Sequence, residues 1–438
     1  MTFAPTRQPP TGPTLRPDGG VVHPGAVAPQ DRLALRAACL GVCVLPVLTP
    51  RGPANLAPAD MAFLLAIGAS LLWAASTRAQ LSLPYRAGVG AMVVAGLVSG
   101  LLGRWPGPAL LTVSQDLFLL AWAATLATVM RDAPAVGAVL RTWVWSSALW
   151  AVAFVAATSR TALASGSDAE RVSFVFGDQN AAGLYLVLSL LVMVAAGWPR
   201  SRVARLAIGL VLLTATFYTG SLGALSGLLL GLSGGLVYSV RGRRGLVPAV
   251  AVAAALVLAT ASVAVLVQRS DLIALAHESS NSLLRNSIGR EAQSSSERAV
   301  LRGESFDLWR ASDAIGSGPA TTKNLLSATQ APYPKEAHND WLATLIERGV
   351  LGTIGLLLLV GELALRGQRA WARAHLDDAL SRAVARPGYL VGALMCLLAF
   401  SLTHEVLHDR SAWTLFGAVA AVAFGWHHEP RWRGETRT

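Results

Sequence analysis

Residues 246–267 read L-V-P-A-V-A-V-A-A-A-L-V-L-A-T-A-S-V-A-V-L-V, and no charged residue falls between Arg244 and Arg269. A helix rises about 1.5 Å per residue, so this run can cross the ~30 Å hydrocarbon core of a bilayer without carrying a charge into it. Runs of the same kind recur along the chain. They centre on 33–48, 61–76, 87–103, 108–130, 134–158, 180–198, 203–219, 222–240, 349–365, 389–403 and 412–426. Composition agrees: of 438 residues, 53% are hydrophobic and only 14% are charged, against about a quarter charged in soluble domains. These observations predict an all-α, polytopic integral membrane protein with about twelve transmembrane helices and one large extracytoplasmic loop late in the chain.

The net charge is +11, and Lys323 and Lys335 are the only lysines. The arginines do not form a nucleic-acid-binding face; they alternate with the spans. One set of loops holds Arg78, Arg86, Arg131, Arg200, Arg202, Arg205, Arg241, Arg243, Arg244, Arg366, Arg369, Arg373, Arg382 and Arg386. The opposite short loops hold only Arg51, Arg104, Arg160, Arg171 and Arg410. Positive-inside topology explains this asymmetry and places both termini in the cytoplasm. The expected organisation is a disordered cytoplasmic tail (1–30), nine spans (31–267), an extracytoplasmic loop (268–340), three spans (341–426) and a second tail (427–438). Residues 1–30 are rich in Pro, Gly and Thr and lack the apolar core of a signal peptide. Arginine-for-lysine usage with abundant Ala and Gly suggests a GC-rich bacterial genome. The three cysteines, Cys39, Cys43 and Cys396, lie in apolar runs and read as small buried hydrophobes.

This topology puts residues 268–340, 159–178 and 404–411 on the external face. Cytoplasmic nucleotide sugars and ATP do not reach that face, so a reaction there needs an already activated substrate. No P-loop or dinucleotide fingerprint occurs. The external segment is too long for a simple connector. Its features are a short apolar stretch at 271–277, a polar run carrying Arg285 and Arg290, and an expected helix from Ser294 through Phe306 and Trp309. The turn Gly316-Ser-Gly-Pro319 breaks that helix. The segment closes on A-H-N-D-W-L-A-T-L-I-E-R-G-V-L-G, residues 337–352. A titratable imidazole, His338, thus stands just before a helix, with Asn339 or Asp340 as its N-cap. The positive helix end disfavours an imidazolium and leaves the ring able to accept a proton.

His338-Asn339, nine residues, then Gly349-Val350-Leu351-Gly352 resembles the H-N-x9-G-x-x-G signature of the O-antigen ligase and O-antigen polymerase-like family. S-S-S-E-R-A-V-L-R, residues 294–302, followed by G-S-G-P is similar to that family's Arg-containing segment and its G-x-G-P turn. R-V-S-F-V-F-G-D-Q-N-A-A-G, residues 171–183, is similar to the stretch that opens a mid-chain span. The resemblance implies a metal-independent membrane glycosyltransferase without a cofactor. Such an enzyme moves a glycan from a polyprenyl diphosphate carrier onto an acceptor hydroxyl on a glycan or lipid. Ligation and polymerisation share these motifs, and polysaccharide-assembly proteins are further expected partners. The family's essential His maps to His338 and its loop Arg to Arg298, whose fork suits a diphosphate. Arg302 and Arg171 are further diphosphate candidates, and Asn180 and Asn339 are candidate substrate-binding residues. One departure is visible: the turn 218–224 carries Leu222 where the family often has Arg.

Other features have competing readings. Gly349, Gly352 and Gly355 recur every three residues, which suits close helix packing. His404, Glu405, His408 and Asp409 cluster at a span end, where they could bind a metal or serve as hydrogen-bonding groups. Asp116 and Arg141 lie inside apolar runs, where such groups need a partner, and they could pair with each other. A transporter or flippase and a non-catalytic envelope-assembly protein are the alternative functions. A flippase of the repeat-built kind would show two similar halves, and no convincing repeat is visible.

Overall fold

A computed structural model of the chain describes residues 29–49, 52, 56–165, 174–269, 274–275, 278–279, 291–332 and 334–424. Residues 1–28 of the first expected tail, the second tail, Arg171, Arg285, Arg290 and most of 271–277 lie outside these residues, while residues 29 and 30 already belong to the first helix. The described residues hold helices and no strand. In chain order the helices are α1 (Pro29–Cys43), α2 (Pro58–Thr77), α3 (Arg86–Leu102), α4 (Pro106–Val129), α5 (Ala133–Ser165), α6 (Gln179–Ala196), α7 (Arg202–Thr219), α8 (Leu222–Arg244) and α9 (Leu246–Arg269). They continue with α10 (Glu291–Ala311), α11 (Thr322–Ala328), α12 (Asp340–Leu376), α13 (Asp378–Ala383), α14 (Gly388–Ser401) and α15 (Arg410–Ala423). Each expected span contains a helix. Among the described residues, however, eight helices are long and apolar enough to cross a membrane. The helices α1, α3, α14 and α15 are shorter, with 15, 17, 14 and 14 residues. Most of α15 and much of α14 are buried. Backbone that leaves a helix at membrane depth is tolerated where protein rather than lipid surrounds it.

The apolar surface is turned outward. The most hydropathic span, Leu246–Val263, has only 6% of its residues buried, and Val247 is 80% exposed. Water would disfavour such a face strongly; hydrocarbon does not. This is a multi-pass membrane protein. Several interior polar groups find partners, which offsets their cost in a low-dielectric medium. The Trp122 indole donates to Thr414 Oγ1 at 2.9 Å, and Trp143 donates to Ser189 Oγ at 2.9 Å.

Sequence punctuation sets the helix ends. The Asp178 carboxylate caps α6 by accepting from the Asn180 and Ala181 amides, and Gly197 closes it at φ +63°. Gly220, at φ +60°, closes α7, and Ser221 immediately caps α8. Two helices therefore meet in a turn that only a glycine makes without strain. Small residues set the closest helix contacts. A Cβ on Gly88 of α3 would lie 2.5 Å from the Leu359 amide nitrogen of α12. A Cβ on Gly392 of α14 would lie 2.1 Å from the Gly231 carbonyl of α8. Backbones that approach this closely gain dispersion contact that lipid does not supply.

The long helix α12 kinks at Gly349, whose φ is +63°. The kink frees carbonyls, and the Gly316–Pro319 turn takes them. Ser317 N–H donates to the Ile346 carbonyl, Gly318 N–H to the Glu347 carbonyl and Val350 N–H to the Ala314 carbonyl, each at 2.9 Å. The Glu347 carboxylate then accepts from the Ala320 amide at 2.8 Å and the Thr322 hydroxyl at 2.7 Å. A Cβ at Gly349 would lie 2.1 Å from the Ala314 carbonyl oxygen. Gly349 is thus a hinge glycine, while Gly355 packs against Met92 and Gly88 as the three-residue repeat anticipates.

Candidate active site at the capped end of the bundle

His338 immediately precedes the Asn339 cap of α12 and has φ +48°, an uncommon conformation for a residue with a side chain. Its neighbours hold it there. Asn339 Oδ1 accepts from the Trp341 and Leu342 amides at 2.9 and 3.0 Å. Asn339 Nδ2 donates to the Leu402 carbonyl at 2.9 Å. Asp340 accepts from the Val406 amide at 2.9 and 3.0 Å, tying the loop after α14 to the start of α12. The Trp341 indole reaches Ser401 Oγ at 3.2 Å. Strain at one residue persists only where the surroundings over-determine it, and here they do.

Above this loop lies α10. Arg298 and Arg302 are one turn apart on it, and Arg302 Nε donates back to the Arg298 carbonyl at 3.2 Å. Together with Leu301, Ala337, His338, Leu402 and Thr403 they line a cleft of about 160 Å³. No carboxylate of the described residues forms an ion pair with either arginine. Burial depresses the His338 pKa below the ordinary imidazole value; Glu336 opposes this, while Lys335 and Arg298 add to it. The ring is therefore neutral at physiological pH and has a lone pair to offer.

His404 faces His338 across a 6.2 Å ring separation. It stacks on Phe400 at 4.3 Å, and its Nδ1 lies 3.0 Å from Thr403 Oγ1. A Cβ on Gly223 would lie 2.9 Å from His404 Cε1, so the turn that carries Leu222 abuts this second imidazole. Asp178 acts electrostatically on His338 from the start of α6. The same end of the bundle thus gathers the starts of α6, α8 and α12, the end of α14 and one face of α10.

The expected site residues divide accordingly. His338, Arg298 and Arg302 share one cleft. Asn339 stands beside it but engages both ends of its amide within the protein. Asn180 lies in the first turn of α6 and does not line the cleft. Arg171 lies outside the described residues.

One expectation needs correction. Asp116 does not pair with Arg141. Its Oδ2 lies 2.6 Å from Arg348 Nη1 and its Oδ1 lies 3.1 Å from His408 Nε2, with Arg348 and Asp116 almost wholly buried. The reason is packing: α12 lies against α3, and Arg348 also donates to the Met92 carbonyl at 3.2 Å. Arg141 sits instead over the Trp198 ring at 5.4 Å. Of the two readings of the His404–Asp409 cluster, His404, His408 and Asp409 follow the hydrogen-bonding one. His408 turns to Asp116, His404 to Phe400 and Thr403, and Asp409 caps α15. Among the described residues no group of three or more His, Cys, Asp or Glu side chains is placed to hold a metal ion. Arg348 and His408 are the partners that sequence reading missed; the apolar context of Asp116 signalled a partner but not its identity.

No match is found among curated proteins. The family described as O-Antigen ligase matches residues 207–357. That stretch begins within α7 and ends in α12 beyond the Gly349 kink. Residues 207–357 are therefore similar to the O-antigen ligase family, and His338, Arg298 and Arg302 all fall within the matched stretch.

Proposed function

We propose that this protein transfers or polymerises a glycan from a polyprenyl diphosphate carrier onto an acceptor hydroxyl, at the external face of a bacterial plasma membrane. The observation that carries this reading is the shared cleft of a neutral imidazole and two arginines that have no carboxylate partner among the described residues. The acceptor oxygen attacks the anomeric carbon of the donor sugar, and the bond from that carbon to the diphosphate oxygen breaks. His338 takes the proton of the acceptor hydroxyl. The bond electrons leave with the diphosphate, and Arg298 and Arg302 hold the charge that gathers there. Neither step calls for a metal, since the guanidinium forks supply the electrostatic complement.

The arginine asymmetry supports an external site and cytoplasmic termini. The cleft lies at the end of the bundle away from Arg200, Arg202, Arg241, Arg243 and Arg244, which stand at the opposite ends of α6, α7 and α8.

The test is His338→Ala in the full-length protein, assayed for glycan transfer in membranes alongside insertion and yield. Loss of general-base catalysis costs about 10²–10⁴ in rate, so transfer should fall by that factor with insertion unchanged. Undiminished transfer would remove His338 from the chemistry. Sizing of the glycan in a deletion strain separates polymerase from ligase. Single repeat units mark a lost polymerase, and carrier-bound long chains mark a lost ligase.

A further inference from the structure

A second cleft lies at the far end of α6 from the His338 site. Asp178 caps one end of that helix, and Ala196 at the other end lines this cleft. Its open volume is about 470 Å³, between the start of α5, the end of α6 and the short helix α13. Three arginines line it, Arg141, Arg200 and Arg382, and no acidic residue does. Asp378 lies one turn before Arg382 and forms no ion pair with it, and two further neighbouring carboxylates are engaged as helix caps. Asp132 accepts from the Ala135 amide at 2.8 Å, and Asp377 accepts from the Ala379 and Leu380 amides at 2.9 and 3.0 Å. Arg205 adds positive charge behind the wall, donating to the Gly197 carbonyl at 2.8 Å.

Arg141 makes the cleft more than a basic surface. It lies within the apolar span Ala133–Arg160, is exposed, and among the described residues forms no ion pair. Its guanidinium lies over the Trp198 ring at 5.4 Å. The Trp198 indole N–H is itself buried without an acceptor in the protein. A cation at the margin of hydrocarbon is costly unless an anion meets it, and tryptophan marks the headgroup level at a span end. Three guanidinium groups line the cleft, and among the described residues none of them is in an ion pair with a carboxylate.

We infer that this cleft binds a phosphate-bearing anion, with Arg141, Arg200 and Arg382 as its ligands. A phosphate diester or monoester offers acceptor oxygens that match guanidinium forks, and the volume admits a phospholipid headgroup as readily as a free phosphate. The site is separate from the proposed transfer chemistry and stands if that chemistry is wrong.

The test uses the purified full-length protein in detergent. It is titrated with phosphatidylglycerol, with phosphatidylcholine of the same acyl chains and with inorganic phosphate. Native mass spectrometry reads retained lipid, and thermal unfolding reads phosphate. Phosphatidylglycerol should be retained about tenfold more tightly than phosphatidylcholine, and R141Q/R200Q/R382Q should lose that preference. Stabilisation by phosphate without lipid preference, again lost in the variant, would identify the free anion as the ligand. Because the triple variant could insert poorly, R200Q and R382Q are also measured singly. Each alters an exposed side chain and should weaken binding about two- to threefold. The inference is overturned if neither probe binds, or if monodisperse variants bind as the wild type does.

Discussion

Two charged clusters at the same end of this molecule behave in opposite ways. Around Asp116 the charges are answered: one carboxylate meets Arg348 and His408, the guanidinium also reaches a backbone carbonyl, and Asp116 and Arg348 are almost wholly buried. Around His338 the cations outnumber their partners. Arg298 and Arg302 face an open cleft with no carboxylate paired to them among the described residues, beside a ring that burial keeps neutral. The first cluster is closed upon itself and ties α4 and α12 to the loop before α15. The second is left incomplete, as a site must be if a diphosphate is to complete it. Both contain ionisable groups near hydrocarbon, so the presence of charge does not separate structure from function; the balance of charge does.

That contrast can be broken most severely at Asp116. Asp116→Ala leaves Arg348 buried and unpaired, and breaking a buried pair costs about 3–5 kcal/mol. Thermal unfolding in detergent should show that loss, and any protein that still folds should keep much of its specific transfer activity. Retained stability with lost transfer would reverse the assignment and make Asp116 a chemical group. Arg298→Ala should do the opposite. Removing one preorganised donor to a developing charge costs about 10²–10³ in rate, with the unfolding temperature nearly unchanged. Equal losses of stability and rate would place Arg298 among the structural charges.

A smaller effect is expected at the boundary between the clusters. Asn339→Ala removes a helix cap and a hydrogen bond to the Leu402 carbonyl, so stability should fall by about 1–2 kcal/mol. Because His338 then loses its positioning, transfer should fall too, and Asn339→Asp should recover the capping part of the stability. The least effect is one of pH. Transfer needs the neutral imidazole, so activity should be lost as pH falls through the depressed His338 pKa, below about 6.5. Arg298 helps to depress that pKa. Arg298→Gln should therefore raise it and move the acidic limb of the residual activity to higher pH. Glu336→Gln removes a charge that raises the pKa, and should move the limb the other way. Coincident limbs in the two variants would show that another group sets the profile.

Much of the site is legible residue by residue. His338 and its capping Asn339 are adjacent in sequence, and Arg298 and Arg302 are one helical turn apart, so local spacing suffices to group them. What spacing does not reveal is how the motifs join. The turn 316–319 and Gly349 read as separate signals, yet the turn's amides satisfy the carbonyls that the kink sets free. Nor does spacing identify His404 as the ring opposite His338, because that depends on where the end of α14 lands. Helix lengths were legible only in part. The expected spans are all helical, but α14 and α15 are short and much of their surface faces protein, and hydropathy reports apolarity without reporting what covers it.

By itself, the sequence determined that this chain fills a membrane with helices, which loops carry the positive charge, that a cap at Asn339 or Asp340 starts a helix, and which imidazole stands at the mouth of it. These are consequences of local pattern, since transfer into lipid and helix capping depend on a residue and its near neighbours. Only the tertiary structure decided that Asp116 meets Arg348 rather than Arg141, that Gly349 bends α12 around the Gly316–Pro319 turn, and that three arginines from distant segments share a second cleft. Each of these depends on which helices touch, and that is settled by the close approach of glycine-bearing faces such as those of α3 and α12. Composition and period do not encode that choice.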